Sequence, residues 1–285
     1  MGLAISDYHV HTSASHCCKE RYGVEDAWNA ARDRGVEHIG ITDHDVPFKN
    51  GFLKAQRETT KRLDGVLQGL EVSIRDARGK IQVSKHALAM LDFVLIAEHV
   101  HIMPAWTLFR KGHRQFEAWW NDPQERYLVE KYYDKHATMT WNALDRNRVD
   151  ILAHPWRFPW HKGILDVATI GISEKVIRKA VERGVHVEFS RAVMNILQQD
   201  LAPKDGKDFG IPALRPWKGR YGHELVRPVP FFRQYFGMCQ DLGAMFTLGS
   251  DAHKLDGIGV FPGIESLLDA VDIKRKNIVH VLKAA

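Results

Sequence analysis

The stretch from Leu3 to His44, LAISDYHVHTSASHCCKERYGVEDAWNAARDRGVEHIGITDH, holds a complete strand–helix–strand unit. Leu3–His11 is short, apolar and alternating, and it breaks at the polar Thr12-Ser13-Ala14-Ser15. Val24–Arg34 carries Ala27, Trp28 and Ala31 at helical spacing and closes at Gly35. His38–Thr42 reads as the next strand. A strand, a helix and a second strand in this order predict parallel pairing through a right-handed crossover.

The same alternation continues outward. Strands are expected at Gly65–Ile74, Asp92–Ala97, Val149–Ala153, Val185–Phe189 and Ala244–Leu248. Helices are expected near Leu53–Leu63, Lys85–Leu91, Thr138–Arg146, Ser173–Arg183 and Ile264–Val271. Neither GxGxxG nor GxxxxGK[ST] occurs, so folds built on nucleotide-binding glycine loops are excluded. Seven strand–helix units without such a loop predict an α/β fold, a (β/α)7 barrel, in one domain spanning residues 1–285. Two long stretches interrupt the rhythm. Residues 101–136 hold Trp106, Trp119, Trp120, Tyr127, Tyr132 and Tyr133, and residues 191–230 are rich in Pro, Gly and basic side chains. Both follow expected strands, so they are read as loop insertions over the C-terminal mouth. For the aromatic one, a small satellite core is an equal reading.

The composition fits a soluble globular chain. Of 285 residues, 45% are hydrophobic and 26% charged, with a mean hydropathy of −0.31. This excludes long disorder and collagen-like or disulfide-scaffold chains. Three cysteines, two of them adjacent (Cys17 and Cys18), suit a reducing compartment, and the cytoplasm is expected. No apolar run approaches the ~20 residues of a membrane span, and no signal peptide is expected. Met1–Ser6 fits a myristoylation pattern but runs straight into an apolar strand, so lipidation is not expected. The net charge is +5, but the 40 Lys and Arg are spread along the chain. That distribution favours a solvated surface over a nucleic-acid tract.

The 16 histidines gain meaning from their positions. His9 and His11 form an H-x-H at the end of the first strand, where i and i+2 share a face. Thr42-Asp43-His44-Asp45 ends the second strand, Glu71 lies near the end of the third, and His99 follows the fourth. His154 follows the fifth, and Asp251 with His253 the seventh. Strand ends of a barrel converge on one mouth. Imidazoles and carboxylates at that density are costly to bury unless they coordinate something. Imidazole with carboxylate suits Zn²⁺, Fe²⁺ or Mn²⁺ rather than Ca²⁺ or Mg²⁺. Two metals about 3.5–4 Å apart acidify a shared water and clamp a phosphoryl group, so a bridging hydroxide is the expected nucleophile. Arg157 and Arg191, and more weakly Lys254, are candidate phosphate partners. Asp43 is a candidate to orient a ligand or take a proton. Cys17 and Cys18 read as small buried fillers more readily than as soft ligands.

These segments resemble the motifs of the polymerase and histidinol phosphatase (PHP) family. They are Asp7-Tyr8-His9-Val10-His11-Thr12 with Ser15, Ile41-Thr42-Asp43-His44, Gly69-Leu70-Glu71, Ala153-His154-Pro155 and Gly249-Ser250-Asp251-Ala252-His253. The resemblance runs from about residue 5 to residue 257, with the motifs in order. It implies a distorted (β/α)7 barrel with two or three divalent transition metals (Zn, Mn or Fe) at its mouth. Carried over by position, it implies that His9, His11, Glu71 and Asp251 hold the first metal. Glu71 would bridge to a second metal completed by His99 and His154, while His16, His44 and His253 would hold a third. His99 is preferred to His101 because the spacing from Asp92 matches the family. The two insertions depart from the compact phosphatases of the family, so the histidinol phosphate activity does not carry over.

The function expected is hydrolysis of phosphate esters, with Glu71, Asp251 and Asp43 in catalytic roles and a small phosphomonoester as substrate. A nuclease or nucleotidase is the first alternative; nucleic acid is possible as a partner but not favoured. An amidohydrolase-type C–N hydrolase is the second. That type shows a bridging lysine and a lone late Asp, where this chain has Glu71 and Asp251-x-His253. A metal-free structural barrel would have lost ligands, and none of the expected positions is lost. The oligomeric state stays open.

Overall fold

The architecture was taken from a computed structural model, which describes residues 3–45, 50–99, 122, 124, 126–161, 163–201 and 226–282. All strand pairing in its two sheets is parallel. The first sheet has the order β1 (Ile5–Val10), β2 (Val36–Ile41), β3 (Val66–Gln68). The second runs β4 (Glu71–Ser73), β5 (Leu95–Ala97), β6 (Ile151–Leu152), β7 (His186–Ser190), β8 (Phe246–Gly249). Helix α1 (Val24–Arg32) makes the first crossover, burying Ala27, Trp28 and Ala31, and the Asp26 carboxylate accepts from the Gly23 N–H to start it.

The expected third strand, Gly65–Ile74, is two short strands in different sheets. The break falls at Gly69-Leu70, yet hydrogen bonds continue across it: Gly69 N donates to Ile41 O and Leu95 N to Leu70 O. The Phe93 ring lies where a Cβ on Gly40 or Gly69 would stand, 2.5 and 2.4 Å away, so only glycine admits that ring between the strands. Tyr8 meets Phe93 edge-on and, with Leu95, Ala97, Ile151 and Ala153, forms a buried cluster. The Tyr8 hydroxyl donates to His280 O and accepts from Leu282 N, so the C-terminal segment covers this cluster. Single bridges join Val10 to Ala252, beyond β8, and His44 to Glu71.

Helices α2 (Asn50–Thr60), α3 (Lys85–Leu88), α4 (Arg126–Arg146), α5 (Arg157–His161) and α6 (Ala168–Glu182) follow in order. Then come α7 (Arg191–Leu201), α8 (Pro228–Asp241) and α9 (Ile264–Ala270). Both expected insertions need correction where they are described. Residues 126–136 are the first half of α4, and their Tyr132, Tyr133 and His136 pack inward around Trp156. That favours the satellite-core reading for this end; Trp106, Trp119, Trp120 and His101 lie outside the described residues. The second stretch is not a loop at its start. Val193, Met194, Ile196 and Leu197 are buried at helical spacing on α7. Residues 202–225 lie outside the described residues.

His136 gives the α4 packing a pH dependence. Its ring stacks on Trp156 at 4.2 Å, and burial pushes its pKa down to about 3 from 6.5. The unfolded chain then binds the extra proton between those values, so this contribution to stability is complete above about 6.5 and lost as pH falls toward 3. Compared with His136→Gln, the parent should gain about 1.4 kcal/mol for each pH unit rise across that window. Denaturant unfolding of both proteins at a series of pH values measures it, and parallel curves would show that His136 is not held neutral.

Candidate metal centre

Histidines at or just past the C-terminal ends of β1, β2, β5 and β6 meet at Glu71, at the start of β4. Its Oε1 lies 2.9 Å from His99 Nε2, 3.0 Å from His154 Nε2 and 3.4 Å from His9 Nε2. Its Oε2 lies 2.8 Å from His44 Nδ1 and 3.4 Å from His11 Nε2. Asp251 closes the far side, with Oδ1 3.1 Å from His11 Nε2 and 3.5 Å from His9 Nε2. His9, His11 and Glu71 are 0% exposed. Burial opposes ionisation of Glu71, yet the surrounding imidazoles of His99, His9, His154 and His44 hold its carboxyl well below the usual range. Burial pushes His99 down to about 4. His44 is lifted to about 10, against its burial, by Cys17 and Glu71.

The imidazoles are held by groups behind them. Asp43, just past β2, accepts from Thr12 N, Thr12 Oγ1, Ser15 Oγ and Gln56 Nε2, all at 2.7 Å. The Ser15 hydroxyl, having given its proton to Asp43, accepts from His11 Nδ1 at 3.1 Å. Asp45 repeats the arrangement: Ser73 Oγ donates to it, and His99 Nδ1 donates to Ser73. His9 Nδ1 donates to Glu188 Oε1 at 2.7 Å, and His253 Nδ1 to the Asp251 carbonyl at 2.8 Å. In all four rings the Nδ1 proton is committed outward, which leaves the Nε2 lone pair facing the cluster. Among the described residues, His9 Nε2, His99 Nε2 and Glu71 Oε2 are buried without a hydrogen-bond partner. Buried orphans of this kind are costly, so their convergence on one place fits a divalent cation.

Three overlapping donor groups result, each with ligand atoms within 4.8 Å of one another: His9, His11, Glu71 and Asp251; His44, Glu71 and His99; His11, His44 and His253. The first is the set expected for one metal. The second brings His44 to Glu71, in addition to the expected His99; His154 reaches the same carboxylate. His16 departs from its expected place. It is exposed, its ring stands 5.8 Å from that of His44, and it joins none of the three groups. Ser15 N donates to Thr12 O and Cys18 N to Ser15 O in the tight turns that leave His16 exposed, and Cys17, which interacts electrostatically with His44 and His253, joins none of the three groups either. Of the expected catalytic carboxylates, Glu71 and Asp251 lie in the cluster, whereas Asp43 spends both oxygens on its four donors and faces away from it. Arg157, at the start of α5, lies close enough to act electrostatically on Glu98, His99 and Asp251. Arg191 is tied through Nη1 to Gly257 O at 3.1 Å, and Lys254 is exposed.

Glu188 was not anticipated. Besides holding His9, its Oε2 accepts from His154 N at 2.8 Å, so one carboxylate sets two metal-facing histidines. The backbone is under strain in the same place. His154, Trp156 and Asp251 have φ of 23°, 59° and 51°, which L residues adopt at a cost of about 1–3 kcal/mol each.

The PHP domain family matches residues 7–189. The chain belongs to this family. A probable phosphatase of Shewanella sp. (strain ANA-3) is 23% identical over 281 residues, covering 96% of this chain and 86% of the relative. A probable phosphatase of Acetivibrio thermocellus is 24% identical over 278 residues, covering 94% and 88%. Among solved structures, histidinol phosphate phosphatase from Lactococcus lactis, complexed with zinc, L-histidinol and phosphate, aligns with a TM-score of 0.55. It is 15% identical and covers 96% of this chain and 95% of its own, a likeness of fold. The PHP domain and its convergent histidines and carboxylates make this chain a metal-dependent phosphoesterase.

Proposed function

We propose that the protein is a phosphomonoesterase that releases inorganic phosphate from a small phosphorylated molecule, working with two or three Zn²⁺, Mn²⁺ or Fe²⁺ ions in the cytoplasm. The observation that carries this is Glu71, whose two oxygens are each shared between imidazoles on different strands. The two parallel sheets are read as halves of one distorted (β/α)7 barrel in a single domain, with β3 and β4 as one broken strand.

His9, His11, Glu71 and Asp251 would hold one ion, Glu71 with His99 and His154 a second, and His44 with His253 a third. Divalent ions held by these residues would supply neutralisation of phosphoryl charge and a water acidic enough to serve as nucleophile at neutral pH. The rest falls to the chain itself. Asp43, Asp45 and Glu188 keep the imidazoles in one tautomer and one orientation. Arg157, beside His99 and Asp251, offers a planar guanidinium to two phosphate oxygens; Arg191, half engaged with Gly257, is the second such group. The buried donors suit one terminal phosphate entering end-on, and the absence of a dense basic block suits few phosphates held at once.

The test is phosphate release from a panel of small monoesters, with cleavage of single- and double-stranded polynucleotides alongside. Chelation should abolish phosphate release, and Mn²⁺, Zn²⁺ or Fe²⁺ should restore it. Salt dependence should be shallow. Arg157→Ala and Arg191→Ala should raise KM with metal content unchanged. Full activity in a verified metal-free sample would sink the proposal, and efficient polynucleotide cleavage with weak phosphatase activity would put a nuclease in its place.

A further inference from the structure

Three buried carboxylates stand behind the metal-facing histidines, and they are held in different ways. Asp43 takes four hydrogen bonds from neutral donors, all at 2.7 Å. Glu188 takes one from His9 Nδ1 at 2.7 Å and one from His154 N at 2.8 Å. Asp45 takes two from Ser73, from N to Oδ2 and from Oγ to Oδ1, and both are long at 3.3 Å. Its short contact is a charged one: Arg75 Nη2 donates to Oδ2 at 2.8 Å. The Asp45 side chain is 1% exposed and that of Arg75 18%, so the pair is largely out of water. Two long neutral bonds compensate a buried carboxylate poorly, and a bond from a guanidinium is roughly twice as strong as a neutral one.

The backbone that carries Arg75 is anchored. Ile74 N donates to Ala97 O at 3.1 Å, and Arg75 N to Lys80 O at 2.7 Å, which closes a turn just past β4. The Asp76 carboxylate accepts from Arg78 N and Lys80 N inside that turn. Asn142 and Asn147 of α4 donate to Ala77 O and Gly79 O, both at 2.9 Å. Gly79 has a φ of 75°, and a Cβ there would stand 2.2 Å from Ala143 N, so only glycine lets the turn dock this closely on α4. At the other end of the contacts, His99 Nδ1 lies 3.1 Å from Ser73 Oγ, and Nε2 lies 2.9 Å from Glu71 Oε1. Two acceptors therefore compete for the single proton of the neutral ring. Glu71 draws it to Nε2, which closes that nitrogen to a cation. Ser73 draws it to Nδ1, but only while its own hydroxyl proton is given to Asp45.

We infer that Arg75 is a positioning residue for the second metal position: by holding Asp45 as the acceptor of Ser73, it sets the direction of the chain Arg75–Asp45–Ser73–His99 and keeps the His99 Nε2 lone pair turned to the cluster. This rests on the reading of the mouth as a metal centre. The first position is backed differently, His9 by Glu188 and His11 through Ser15 by Asp43. Arg75 thus tunes one position and leaves its neighbour alone.

The experiment titrates buffered Zn²⁺ into the full chain and counts the equivalents bound. Separately, ring ¹⁵N spectroscopy of the metal-free protein reads the His99 tautomer, with His99→Gln assigning the signal. Arg75→Met should need about 10-fold more free zinc to fill one position, the lower end of the cost of losing an outer partner, because it acts two contacts behind the ligand. The other equivalents should fill as in the parent, and the share of the Nδ1–H form of His99 should fall. Arg75→Lys, which keeps the charge, should recover most of both effects, as a purely structural role would not. On a Ser73→Ala background Arg75→Met should add little, because the link is already cut. Arg78→Met, an exposed change in the same turn, should match the parent. An Arg75→Met protein with unchanged zinc filling and an unchanged tautomer, or one whose defect adds in full to that of Ser73→Ala, would overturn the assignment and leave the metal centre standing. A parent that binds no zinc would overturn the metal centre itself.

Discussion

Glu71→Gln should strip the protein of its metals and lower kcat/KM by more than about 100-fold, beyond what loss of an outer partner of a metal ligand costs, with the fold retained. The substitution preserves the shape of the side chain but replaces one oxygen with an NH2 group and removes the charge. In the parent, five imidazole nitrogens lie within 3.4 Å of the two carboxylate oxygens. An amide nitrogen has no lone pair to offer a cation and can serve only one side of the cluster. Neighbouring ions would then repel one another without the anion between them. Elemental analysis and phosphate release read the effect, and circular dichroism with a thermal melt reads the fold. Unchanged metal content and activity would show that Glu71 is not the shared ligand.

Glu71 was legible in the sequence because it lies near the end of an expected strand, and His9 and His11 because a strand puts i and i+2 on one face. The same logic located His44, His99, His154, Asp251 and His253, each just past a strand. It failed where periodicity ends. The loop after His11 has no repeat to count on, and its turns at Thr12–Ser15 and Ser15–Cys18 leave His16 exposed. Glu188 was hidden for another reason. In Val-His-Val-Glu-Phe a glutamate reads as one more strand residue, and only its partners, His9 and the His154 N–H, distant in sequence, give it a role. Asp43 and Asp45 flank His44 in sequence, but each serves a different histidine through a serine. At α7, the Pro- and Gly-rich character of the residues that follow was extended backwards over a segment whose own apolar spacing is helical.

Gly249 offers the sharpest steric test of the Glu188 arrangement, and Gly249→Ala should disable the centre without replacing any ligand. A Cβ at this position would stand 1.9 Å from Glu188 Oε1 and 2.9 Å from His9 Cβ. No contact that short survives, so either Glu188 withdraws from His9 or β7 and β8 separate. The strands are paired through Ser190 and Gly249, and their backbone hydrogen bonds resist the second course. Glu188 is therefore expected to swing out. That frees the His9 Nδ1 proton and the His154 N–H together, both buried and both then unpaired. Overpacking of this kind costs about 1–3 kcal/mol, and a lost partner behind a metal-binding histidine lowers metal affinity or activity about 10–100-fold. With two histidines released at once, the loss should lie at the upper end. Glu188→Ala supplies the control: alone it should weaken metal binding through the same two histidines, and on that background Gly249→Ala should add less than it costs alone, because the 1.9 Å collision is gone and only the 2.9 Å approach to His9 Cβ remains. Metal content and unfolding free energy for the two single variants and the double variant measure the coupling. Strict additivity would mean that Glu188 and Gly249 act independently, and that the carboxylate does not hold His9 in place.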